Sequence, residues 1–87
     1  MKIKEGFILR EVAGSYLVVA VGKAVKEFGG VVNLNETGAF LWKLLEKSST
    51  ESEMVDALLS EYEVDRDTAE KDVKAFTDKL MEAKLVE

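Results

Sequence analysis

The chain has 87 residues and a net charge of −5, with 47% apolar and 33% charged side chains, the composition of a folded domain and not of a disordered or membrane-spanning chain. A chain of this size buries roughly 60–65% of its extended surface, enough for one small core. Cysteine and histidine are both absent, which removes disulfides, ordinary zinc sites, thiol nucleophiles and every triad built on an imidazole base. Only carboxylates, lysines and hydroxyls remain for catalysis. The expectation is a protein that is not an enzyme and needs no cofactor.

The charge is unevenly spread. Residues 1–49 hold seven basic and five acidic side chains, residues 50–63 five acidic and no basic ones, and residues 64–87 five basic and seven acidic. No block offers the strongly basic face that phosphate contacts require, so a nucleic-acid partner is not expected. The longest uncharged run, Val12–Gly22, has eleven residues, short of the roughly 20 a spanning helix needs. It also makes a poor signal peptide, because Glu5 and Glu11 precede it and Gly14-Ser15 interrupts it. A cytoplasmic protein without membrane contact is the expectation.

The chain contains no proline, linker or repeat and reads as a single domain over 1–87. Its first part is strand-like. Phe7–Val12 and Tyr16–Val21 are short runs rich in β-branched and aromatic residues, and Gly14-Ser15 between them suits a tight hairpin with glycine at the first central position. Residues 22–28 are ambiguous: Ala24, Val25 and Phe28 could extend either neighbouring strand. A third run, Val31–Leu34, follows Gly29-Gly30, a pair suited to a bulge or a sharp loop before the strand.

Three helices are expected next. Asn35 is placed to cap the first, with Leu34 and Ala39 as a hydrophobic staple and Phe40, Leu41, Trp42, Leu44 and Leu45 as its apolar face, through about Lys47. Thr50-Glu51-Ser52-Glu53 reads as a capping box for the second, whose Met54, Val55, Leu58, Leu59 and Tyr62 recur on one face. Asp65 caps the third, with Val64 and Ala69 as staple, and Ala69, Val73, Phe76, Leu80 and Ala83 line one face of it. The fold class is therefore α+β, winged-helix-like, a three-stranded antiparallel sheet followed by three helices.

Most polar residues that catch the eye have structural roles. Asn35, Thr50 and Asp65 are helix caps, and Trp42 belongs to the core. Asp65-Arg66-Asp67 opens like a calcium loop but continues with Ala69 and Glu70 where a ligand and the turn glycine should stand. Ser48, Ser49 and Thr50 beside Lys47 lack any evident oxyanion site. The expected second helix is acidic and the third alternates lysines with acids, so neither makes a phosphate-facing surface. The third run is different. A short apolar strand at a sheet edge, with no lysine or proline of its own, is usually covered or paired. It could take a helix, a second copy of the chain in a homodimer, or an extended peptide added as a strand.

At the level of ordered motifs, Val32-Asn33-Leu34-Asn35-Glu36-Thr37-Gly38, Phe40-Leu41-Trp42-Lys43-Leu44-Leu45, Tyr62-Glu63-Val64-Asp65 and Asp72-Val73-Lys74-Ala75-Phe76 together resemble the PqqD family. The resemblance runs from about Gly6 to Val86 and rests on the set and its spacing rather than on one motif. It implies a peptide chaperone, the RiPP recognition element of ribosomal peptide modification pathways. Such a domain binds the leader segment of a precursor peptide and presents it to a modifying enzyme such as a radical-SAM protein. It implies that the leader adds beside the third strand, along Val31, Val32, Asn33 and Leu34. It also implies a groove side at Val73, Phe76, Thr77 and Leu80, with Asp72 and Lys79 as rim charges. The alternative is a winged-helix protein-interaction or transcription-associated domain without a role in peptide modification.

Overall fold

The computed structural model describes residues 1–27 and 30–87. Strands β1 (Phe7–Val12) and β2 (Ser15–Ala20) form a hairpin, helix α1 (Ala24–Glu27) is a single turn, and strand β3 (Val31–Leu34) completes the sheet. Helices α2 (Glu36–Leu45), α3 (Glu51–Glu61) and α4 (Arg66–Glu82) follow. The sheet is antiparallel in the order β1-β2-β3, so β2 is central and β3 is an edge. The α+β architecture is as expected, with one addition: the ambiguous stretch contains α1, so Ala24 and Val25 extend neither strand. Phe28 and Gly29 lie outside the described residues, and with them the expected glycine-pair bulge.

The hairpin turn differs by one residue from expectation. Val12 pairs with Ser15, which makes Ala13-Gly14 the two-residue loop. Both have positive φ, 50° and 80°, as the twist-matched hairpin turn requires. Gly14 therefore fills the second central position, where the left-handed backbone suits it.

Alternation along the strands divides the sheet into two faces. Phe7, Leu9, Tyr16, Val18, Val32 and Leu34 pack toward the helices. Ile8, Val19 and Val31 stand across from one another on the other face, where Val31 is 55% exposed. A slip of one residue would exchange the two sets, so this register is strongly specified.

All three caps form. Asn35 Oδ1 accepts from the Gly38 N–H at 2.7 Å, and Asp65 Oδ1 accepts from the Thr68 N–H at 2.8 Å. Thr50 and Glu53 close a reciprocal capping box at 3.1 and 2.9 Å. Helix α2 stops at Leu45, two residues before the expected end, and the chain turns through Ser48 at φ 76°. Trp42, Leu41, Leu45, Met54, Leu58, Val73 and Leu80 fill the core between the helices and the sheet.

The chain ends contribute what the sequence patterns miss. Ile3 and Val86 form an antiparallel bridge, flanked by hydrogen bonds from the Lys4 N–H to the Leu85 carbonyl at 2.9 Å and from the Glu87 N–H to the Lys2 carbonyl at 2.8 Å. Ile3 and Leu85 are both buried. Leu85 is set by the way α4 ends: its N–H reaches the Leu80 carbonyl while the Lys84 N–H reaches that of Met81, with Lys84 at φ 59°. This is a Schellman cap, and the buried pair Leu80 and Leu85 supplies its customary apolar contact.

Candidate functional site

Beside the free edge of β3 lies a cleft of about 230 Å³. Its lining comes from the end of β3 (Leu34), the start of α2 (Asn35, Thr37, Gly38, Leu41) and one flank of α4 (Asp72, Ala75, Phe76, Lys79). The local sequence explains how these elements meet. Asn35 ends the strand and caps the helix in one residue, so α2 departs directly from the edge. Gly38 permits the close approach: a Cβ there would stand 3.3 Å from the Leu34 Cβ and 3.2 Å from Asn35 Oδ1.

The floor is apolar, made by Leu34, Leu41 and Phe76, and the rim carries one acid and one base on the same helix. Asp72, Ala75 and Lys79 are exposed while Phe76 is 7% exposed, at the boundary between core and cleft. Lys79 is the residue that ties helix to strand. Its Nζ donates to the Asn33 carbonyl at 2.8 Å. The ion pairs on this helix are of a different kind: Arg66 with Asp56 and Glu70, and Lys74 with Asp78, all solvent-exposed pairs of the sort that contribute little.

The structure sorts the expected site residues into two groups. Leu34, Asp72, Phe76 and Lys79 converge on the cleft, and Val31, Val32 and Asn33 form the strand beside it. Val73, Thr77 and Leu80, expected on the groove side, lie in the core instead, at 1%, 0% and 0% exposure. The reason is angular. The 3.6-residue period that puts 69, 73, 76, 77 and 80 against the core leaves 72, 75, 76 and 79 on the adjoining flank, and only Phe76 belongs to both. Thr77 satisfies its buried hydroxyl by donating to the Lys74 carbonyl at 3.1 Å. Sequence reasoning missed Ala75, Thr37 and Gly38, and took Asn35 for a cap and Leu41 for part of the apolar helix face without placing either at the site. The signal for Ala75 was its place between Asp72 and Lys79 on the charged flank, where a small residue opens space.

A second polar cluster lies away from the cleft. Phe40 and Tyr62 meet edge to face at 5.5 Å and 84°. Burial first, then the carboxylates of Glu36 and Glu61 and the phenol of Tyr16, push the Tyr62 phenol above its ordinary range. Among the described residues no cluster of side chains could hold a metal ion, and no helix is long and apolar enough to cross a membrane.

A small α+β domain with an open strand edge beside an apolar cleft is thus the class that the fold and site define. Over residues 7–86 the chain matches the family described as Coenzyme PQQ synthesis protein D (PqqD), and it belongs to that family. Among solved structures, TbiB1 in complex with the TbiA(beta) leader peptide is 30% identical, with a TM-score of 0.79 over 100% of this chain and 95% of that one. Lasso peptide synthetase B1 complexed with the leader peptide is 23% identical, with a TM-score of 0.77 over 99% of this chain and 95% of that one, and it speaks to the fold alone. No curated protein matches the chain.

Proposed function

We propose that this chain is a non-catalytic peptide-binding domain that takes the leader segment of a ribosomally made precursor as a fourth strand on β3 and presents it to a modifying enzyme. The observation that carries the reading is the open edge of β3 lying against a cleft with an apolar floor. In strand addition, backbone hydrogen bonds along the edge supply affinity, and pockets for alternate side chains supply choice. Both parts are on hand: Val31–Leu34 for the backbone, and Leu34, Leu41 and Phe76 for a side chain that turns inward. The 30% identical TbiB1, whose structure holds a leader peptide, supports the same reading.

Residues along an antiparallel strand direct their N–H and C=O groups alternately toward and away from the neighbouring strand. Lys79 reaches the Asn33 carbonyl from the cleft beside β3, which puts that carbonyl in the outward set. By alternation Val31 shares it. The N–H groups of Val31 and Asn33 are then the donors an added strand would use. A modifying enzyme, a radical-SAM protein among the classes expected, would meet the domain with its peptide already in place.

The test is a display selection using the N-terminal segments of small open reading frames from the source genome, followed by amide-shift mapping with the winning peptide. Enrichment of one peptide group whose binding shifts Val31–Leu34 and the Asp72–Lys79 flank of α4 is the expected result. Enrichment of nothing by the folded protein, or shifts centred on another surface, overturns the proposal.

A further inference from the structure

Lys79 stands apart from the other charged residues of α4. Arg66 and Lys74 each have a carboxylate partner within 4.0 Å, whereas Lys79 is held by a neutral backbone carbonyl. The contact also sits where it matters. The Asn33 carbonyl belongs to the edge an added strand would use, and Lys79 itself lines the cleft. The oxygen has two lone pairs, but an ammonium on one of them competes with an incoming N–H at the edge the new backbone would take. A strand seats more freely once Lys79 lets go, and the released, solvent-exposed ammonium then gains more from a carboxylate than from a neutral partner. Asp72, the other charge on the rim, lies seven residues earlier on the same helix, a rise of about 10 Å.

We propose that Lys79 is a latch that sets the specificity of the cleft: it closes the β3 edge in the empty protein and opens to pair with an acidic side chain of the incoming peptide. The inference rests on the strand-addition reading and adds the class of peptide to it. Phe76, on the apolar floor, precedes Lys79 by three residues, a rise of about 4.5 Å along the helix. Side chains on one face of a strand recur every two residues, about 6.6 Å apart. The matching peptide therefore carries an apolar residue over Phe76 and an aspartate or glutamate at the nearest position on the same face. Peptides without the acid exchange the Lys79 contact for water alone. The same latch answers the hazard of a bare apolar edge: a lysine guards it, supplied from a helix and not from the strand.

The experiment selects an mRNA-displayed library of random linear peptides against the wild-type protein, Lys79→Met and Lys79→Glu, each first confirmed as folded by circular dichroism. The expected wild-type pool is rich in Asp or Glu at a fixed offset from an apolar residue. The Lys79→Glu pool should carry Lys or Arg at that offset, and the Lys79→Met pool no charge preference there. With the best wild-type peptide, replacing its acid by the matching amide should weaken binding about tenfold to wild type and leave binding to Lys79→Met unchanged. If all three pools share one composition, or the amide peptide binds wild type as well as its parent does, the latch is overturned while strand addition stands. If the folded wild-type protein enriches no peptide, the strand-addition reading itself falls.

Discussion

The first 34 residues and the remainder of the chain are built to different standards of packing. Among the described residues of the first part, Ile3, Val18 and Leu34 are the hydrophobic ones buried in the core, and β1 ends in three exposed positions. From Ala39 onward each long helix contributes several buried side chains, and Trp42, Leu45, Met54 and Leu80 show no exposed surface. The helical layer thus carries the stability, and the sheet is held on it by one face. Cost and function can then be separated by site. Changes in the helical core should unfold the protein, and changes at the β3 edge should alter what it binds.

The sharpest way to break that division is on α4, where both roles meet. Leu80→Ala should cost about 2–5 kcal/mol of stability, read by urea unfolding, with peptide affinity of the folded fraction unchanged. Phe76→Leu, which keeps most of the volume, should cost less than about 1.5 kcal/mol and yet weaken peptide binding, because Phe76 also floors the cleft. Equal binding losses for the two would show that core and cleft are not distinct.

Next in size is the edge itself. Val31→Pro should reduce peptide affinity at least about tenfold, or about 1.4 kcal/mol by calorimetry. Stability should change by less than about 1 kcal/mol, since proline is tolerated at the first residue of an edge strand. Lys84→Gly addresses the helical layer in the opposite direction. Lys84 holds a left-handed backbone at the end of α4, and glycine there should raise stability by about 1 kcal/mol without touching binding.

The smallest effect is a pH dependence. The Thr68 backbone N–H, then its hydroxyl, hold the Asp65 carboxyl below the usual carboxylate range. The cap therefore contributes fully above the unfolded-state value, and its contribution is lost as pH falls through the lowered folded value. Acid titrations followed by circular dichroism should show that loss in wild type and a flatter profile in Asp65→Asn, which keeps an acceptor but not the charge.

Local signals proved the most legible part of the molecule. Asn35, Thr50 and Asp65 announce helix starts because a side-chain oxygen there answers a specific orphan N–H a few residues on. Strand runs and the apolar faces of the three long helices are equally local. The misses share a different cause. Ile3, Leu85 and Val86 are isolated apolar residues with no periodic neighbours, and they matter only because the two chain ends pair. Periodicity showed that Val73, Thr77 and Leu80 share a face of α4 but not which flank of it meets β3. The Lys79 contact joins residues 46 apart in sequence, so β3 reads as unguarded although its guard is present.

The bridge between Ile3 and Val86 also has a topological meaning. Positions 2 and 87 are joined by a hydrogen bond of 2.8 Å, and neither segment lines the cleft. A unit whose two ends leave side by side can be spliced into a surface loop of another protein without stretching either connection. Joining the ends by a short linker and reopening the chain at the Ala13-Gly14 turn should give a permuted protein with the same cleft. The portable unit is then a closed ring of packing, and where its backbone is cut is secondary.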